Sequence, residues 1–160
     1  MCGIIGIISE EDVSSSIYES LTVIQHRGQD AAGMATLEDG KLHVRKQIGL
    51  VREVFRAQHI KNLKGKMGIG HVRYPTAGGV TREFSQPLYV NSPYGISICH
   101  NGNLVNSKEL TQELYENDLR HLNTDSDSEV ILNIFANEMQ KINSQSPSPE
   151  EIVSAVEKMH

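Results

Sequence analysis

Apolar residues change their spacing several times along the chain, and each change predicts an element. Residues 2–9 hold a nearly unbroken run of isoleucine and glycine, which predicts a buried strand. Val13, Ile17, Leu21 and Ile24 recur at helical spacing, so an amphipathic helix is expected over about residues 10–25, ending before Gly28. The segments 31–37 and 42–47 flank Asp39-Gly40, a dipeptide that favours the type I′ hairpin turn. A short helix is expected at 51–56 and a strand at 67–72, followed by a Gly/Pro/Thr-rich loop from Arg73 to about Pro87. Another strand is expected at 94–100, broken by Asn101-Gly102-Asn103, and a helix at 107–117. The spacing of Ser126 and Glu129 predicts a capping box opening a helix through Val130, Ile131, Ile134 and Phe135. Residues 144–149 read as a polar linker, and a last helix carries Ile152, Val153, Val156 and Met159 on one face. Strands early, helices late and a clear hairpin predict an α+β fold with antiparallel sheets.

Composition narrows the function classes. The length, 160 residues, suits one domain with its own core. A formal net charge of −5 without a basic block argues against nucleic acid or an anionic membrane as partner. Tryptophan is absent and aromatics make up 5%, which also disfavours binding by base stacking. The apolar runs fall short of a membrane span or a signal peptide. Cys2 and Cys99 have no disulfide or zinc spacing, so a reducing, cytoplasmic compartment is expected. No phosphate loop or dinucleotide fingerprint occurs, and no metal-binding histidine spacing either. No cofactor is therefore expected in this chain.

Five places could carry chemistry. Removal of Met1 would leave Cys2 with a thiol and a free α-amine on one residue, a nucleophile with its own base. The plainer reading of Cys2 is a small apolar residue starting a strand. Arg73, at a strand end with Thr76 nearby, could grip a carboxylate with its fork; alone, a surface arginine on a flexible loop is the commoner case. Asn101-Gly102 could supply an amide and an N–H to an oxyanion, although Asn-Gly more often makes a hairpin turn. Asp125 and Asp127 could bind an ammonium group, or merely sit at the positive end of a helix. His26-Arg27-Gly28-Gln29-Asp30-Ala31-Ala32-Gly33 is a polar turn whose small residues would allow close packing beside the first strand. His71 and Cys99 read as strand residues filling the core.

Taken together, these segments resemble one family in identity and order. Met-Cys-Gly-Ile at 1–4, His-Arg-Gly-Gln-Asp-Ala-Ala-Gly at 26–33, Gly-His-Val-Arg-Tyr-Pro-Thr-Ala-Gly at 70–78, His-Asn-Gly-Asn at 100–103 and Thr-Asp-Ser-Asp-Ser-Glu at 124–129 are similar to the motifs of the N-terminal glutaminase domain of amidophosphoribosyltransferases. Those domains are class II glutamine amidotransferases, within the N-terminal-nucleophile hydrolases. The resemblance covers residues 1 to about 140. The second and third motifs differ from those of glucosamine-phosphate synthases and asparagine synthetases.

The resemblance implies an αββα sandwich of antiparallel sheets, with residues 1–160 forming the N-terminal portion of the glutaminase domain. It implies Cys2 as nucleophile, Asn101 and Gly102 as oxyanion donors, Arg73 and Thr76 at the substrate carboxylate and Asp127 at its ammonium. Glutamine is the implied substrate. Family domains continue beyond this length, so an incomplete sandwich is expected. The phosphoribosyltransferase domain is expected to be absent from this chain, with its magnesium. A homo-oligomer is implied for the full-length enzyme. Two other readings stay open: a catalytically silent binding or assembly module, and an amidotransferase serving another acceptor.

Overall fold

The computed structural model describes residues 1–74 and 82–159. They divide into two compact units: Met1–Leu88 with Ser97–Gly102, and Tyr89–Ile96 with Asn103–His160. Among the described residues, no helix is long and apolar enough to cross a membrane.

The first unit is built on a four-stranded antiparallel sheet in the order β1-β4-β2-β3. Its strands are β1 (Gly3–Ile8), β2 (Ala31–Glu38), β3 (Lys41–Ile48) and β4 (Met67–Arg73). The β2–β3 hairpin closes where Glu38 pairs with Lys41. Asp39 and Gly40 both have positive φ, 48° and 75°, as a type I′ turn requires. Helix α1 (Ser14–Val23) lies on one face with the short helices α2 (Val51–Val54) and α3 (Ala57–Asn62). The core joins Ile17 and Leu21 of α1 to Ala32, Met34 and Val72 of the sheet and to Val51, Val54, Phe55 and Leu63. Full burial of a side chain such as Ile17 or Leu21 contributes roughly 1.5–3 kcal/mol.

Three expectations for this unit are corrected. Strand β1 is only half-buried, because successive side chains alternate faces: Ile5 and Ile7 pack on the core, while Ile4 and Ile8 are exposed. Helix α1 begins later than the apolar spacing implied. Residues 9–13 instead run beside the start of β4: Ser9 N donates to Lys66 O, Val13 N to Gly65 O, and Gly65 N to Asp12 Oδ1. The small residues after Gly28 flank β4 rather than β1, since β4 separates β1 from β2.

A second, two-stranded sheet pairs β5 (Leu88–Val90) with β6 (Ile96–Ile98). The second unit contains α4 (Ser107–Glu116), α5 (Asp127–Ile142) and α6 (Pro149–Lys158), with α5 packed against both neighbours. Leu114, Val130, Leu132, Ala136, Met139 and Ala155 are buried there. The expected capping box of α5 is not formed. Ser126 Oγ accepts from Ser128 N, while the Glu129 carboxylate turns to Asn123 and Thr124. A reciprocal box does open α6, between Ser148 and Glu151, inside the segment read as a linker. Of the apolar face expected on α6, Ile152, Val153 and Val156 are exposed.

One buried group of the sheet titrates abnormally. His71 of β4 has no accessible surface, and neither ring nitrogen makes a hydrogen bond. Burial pushes its pKa down to about 4; proximity to the His100 backbone opposes this, and the charges of Arg73 and His100 reinforce it. Unfolded, the same imidazole takes up a proton near its ordinary value, so the His71 contribution is intact above that value and is lost as pH falls toward 4. Denaturant titrations should show roughly 3 kcal/mol less loss of stability between pH 6.5 and pH 4 in His71→Gln than in the unmodified chain. Equal slopes would contradict this.

Candidate active site

The antiparallel register gathers three strand ends. Gly3 pairs with Val72 and Ala31 with Arg73, so the start of β1, the end of β4 and the start of β2 meet at one end of the sheet. Cys2 immediately precedes β1. Its sulfur accepts a hydrogen bond from Tyr74 N at 3.4 Å, and its carbonyl accepts from Arg27 Nε at 3.0 Å. Cys2 is therefore held from both sides while remaining partly accessible.

Arg73 ends β4 and is buried, which excludes the reading of a surface arginine on a flexible loop. Its guanidinium pairs with the Asp30 carboxylate and lies 5.5 Å from the centre of the Phe84 ring. Asp30 N also donates to Arg73 O, so backbone and side chain fix the same two residues. This contact needs a glycine close by. A Cβ on Gly28 would come within 2.5 Å of the Arg73 backbone.

Asn101-Gly102 does not form a hairpin turn. Strand β6 ends at Ile98 and the next element is α4. A strap of contacts reaches this segment from the sheet. Gly33 of β2 lets the Gln86 carbonyl approach; a Cβ there would sit 2.0 Å from that oxygen. Lys46 Nζ donates to Ser85 O, and Gln86 Oε1 accepts from His100 N at 2.6 Å. The His100 ring then lies over Gly102, 2.6 Å from where a Cβ would be. Gly102 thus has no space for a side chain unless that ring moves.

Asp127 belongs to the second unit, in the first turn of α5. Its Oδ2 accepts from Leu104 N at 3.0 Å. Beneath it, the buried Glu129 carboxylate accepts from Asn123 N, Asn123 Nδ2, Thr124 N and Thr124 Oγ1 at 2.6–3.3 Å. Asp125 is exposed. Thr76 lies outside the described residues.

Reading the sequence missed the supporting residues Arg27, Asp30, Gln86 and Glu129. Arg27 and Asp30 stand in the polar turn already singled out, but no spacing rule pairs them with Cys2 and Arg73. Cys99, expected to fill the core, is half-buried instead; desolvation still pushes its thiol up to about 12, opposed by the Lys46 charge. Among the described residues, no three His, Cys, Asp or Glu side chains group as metal ligands.

Comparison with known proteins places this geometry in context. A family model described as a glutamine amidotransferase domain matches residues 57–145. All 160 residues align at 56% identity with an amidophosphoribosyltransferase of Pseudomonas aeruginosa, covering 32% of that protein. A solved structure of an allosteric regulatory enzyme of purine biosynthesis superposes on 99% of the chain with a TM-score of 0.80 and 35% identity, over 33% of its own length. Glutamine phosphoribosylpyrophosphate amidotransferase from B. subtilis, complexed with ADP and GMP, gives 0.77 and 32% over the same shares. The chain thus spans about a third of the length of the relatives it matches.

Two outcomes check the local chemistry. Below about pH 10, iodoacetamide should modify Cys2 and largely spare Cys99 in the folded protein, because the Cys99 thiol is held at about 12; equal labelling in mass spectrometry would contradict that raised value. Glu129→Ala removes the acceptor of four donors and should lower unfolding free energy by at least about 3 kcal/mol, at roughly 1.5–3 kcal/mol per charged hydrogen bond. A loss under about 1 kcal/mol in denaturant titration would deny Glu129 its anchoring role.

Proposed function

Because the chain belongs to the glutamine amidotransferase domain family, we propose that it is the glutaminase portion of an amidophosphoribosyltransferase, releasing ammonia from glutamine at Cys2. The observation that carries the reading is the position of Cys2, a partly accessible thiol held at the sheet end beside a buried, oriented arginine. A glutamine side chain needs a nucleophile at its amide, while its amino-acid end needs one cation and one anion.

In the proposed reaction, removal of Met1 frees the α-amine of Cys2. That amine takes the thiol proton as the sulfur attacks the side-chain carbonyl carbon. Charge gathers on the carbonyl oxygen, where the Asn101 amide and the Gly102 N–H donate; each such donor is worth about 2.7–4 kcal/mol in the transition state. The C–N bond breaks, the amine returns its proton to the leaving nitrogen, and ammonia departs from a γ-glutamyl thioester. Water then attacks the thioester and glutamate leaves. Arg73, oriented by Asp30, holds the substrate carboxylate; the resemblance of the motifs assigns Thr76 to the same carboxylate and Asp127 to the ammonium.

In the full-length enzyme the ammonia attacks phosphoribosyl pyrophosphate and displaces pyrophosphate, giving phosphoribosylamine, the first step of purine synthesis. The phosphoribosyltransferase domain and its magnesium belong to that second half-reaction, as does a cytoplasmic homo-oligomer. The names of the matched relatives, and the fact that this chain spans about a third of their length, support a further domain in the whole protein.

The test is glutamate release from glutamine by protein whose Met1 loss has been verified by mass spectrometry. Cys2→Ala should abolish release, and Asn101→Ala should lower kcat by about 10²–10³. Retained activity in Cys2→Ala would overturn the mechanism. Folded, processed protein that releases no ammonia would favour a silent binding module instead.

A further inference from the structure

The second unit holds an open surface pocket of about 420 Å³ that the glutaminase chemistry does not use. It is lined by Val90 and by Tyr89, Asn91, Ser92, Arg120, His121 and Asn133. Arg120 is half-buried and donates from Nη2 to Gln140 Oε1 at 3.1 Å, and over a longer 3.5 Å from Nη1 to Asn133 Oδ1. Both acceptors are neutral amide oxygens. Among the described residues, no carboxylate pairs with this guanidinium, although the chain carries 20 Asp and Glu against 15 Lys and Arg.

The arginine is also held from behind. Asn133 is buried, and its Nδ2 donates to Glu129 O at 2.9 Å. That bond fixes the amide so that its oxygen faces Arg120. The His121 ring is held edge-on against Tyr115, with centroids 5.1 Å apart. A guanidinium has five donors and no acceptor. Here it shares the pocket with the His121 imidazole, the Ser92 hydroxyl, the amides of Asn91 and Asn133 and the Tyr89 phenol.

We propose that this pocket binds a small phosphate monoester, with Arg120 and His121 on the phosphate and the organic body beside Tyr89. The donor set favours phosphate over carboxylate. A guanidinium fork alone satisfies the two oxygens of a carboxylate, whereas the third phosphate oxygen calls for further donors such as Ser92 and Asn91. The pocket is also larger than a bare ion, which leaves room for an esterified group.

The experiment uses the full chain at constant pH and ionic strength. Inorganic phosphate, phenyl phosphate and acetate are titrated while the His121 ring resonances are followed by NMR. Both phosphates should shift those resonances saturably, with phenyl phosphate binding more tightly and acetate at least about tenfold more weakly. Arg120→Gln should weaken phenyl phosphate binding at least about tenfold. Ser92→Ala, at an exposed position, should weaken it several-fold with the fold intact. Acetate binding as tightly as phosphate would overturn the proposal. So would the absence of any saturable response, or affinity unchanged in Ser92→Ala and Arg120→Gln.

Discussion

The buried ion pair between Asp30 and Arg73 holds the candidate site together. Their side chains keep only 8% and 6% of their surface. Removing one partner would leave an unpaired charge out of water, at a cost of roughly 3–5 kcal/mol. The pair joins the start of β2 to the end of β4 and is reinforced by Asp30 N donating to Arg73 O. Tyr74, the next residue, gives its N–H to the Cys2 sulfur. The side chain fixed by Asp30 therefore lies next in sequence to the backbone group that holds the Cys2 sulfur. Gly28 belongs to the same constraint, because any side chain there would strike the Arg73 backbone.

A parallel constraint governs the proposed oxyanion donors. Asn101 and Gly102 lie in irregular chain, where no ladder of hydrogen bonds sets the backbone. Their approach is set instead by Gly33, which admits the Gln86 carbonyl, and by the Gln86 amide oxygen on His100 N. In the second unit Glu129 plays the corresponding part for the turn before α5, leaving Asp127 at the first turn of that helix. Arg73, Gly102 and Asp127 thus each have a polar side chain behind them, Asp30, Gln86 and Glu129 respectively.

Much of this was legible in the sequence, for particular reasons. The hairpin at Asp39-Gly40, the core positions of α1 and the α+β class follow from periodicity and turn chemistry, which act over a few residues. The candidates Cys2, Arg73, Asn101, Gly102 and Asp127 stand out as residue types able to do chemistry at strand or helix ends. The partners Asp30, Gln86 and Glu129 were not legible, because their roles depend on contacts across the fold. Asp30 meets Arg73 from 43 positions away. Glu129 fits the capping-box spacing, yet four donors at Asn123 and Thr124 outcompete the single N–H of the cap. The half-exposed β1 was misread because its isoleucine run matches a fully buried strand and only the placement of α1 decides which face is covered.

The central claim is that Asp30, through Arg73, orients the amino-acid end of glutamine at Cys2. It is tested most directly by comparing two electrophiles on Asp30→Asn. A chloroketone analogue of glutamine should label Cys2 of the unmodified protein saturably. In the variant that labelling should slow by about 10²-fold, the cost of a misplaced reactant. Iodoacetamide, which needs no such grip, should still label Cys2 and spare Cys99, showing that the fold survives. Unchanged, saturable labelling of Asp30→Asn by the chloroketone would contradict the account.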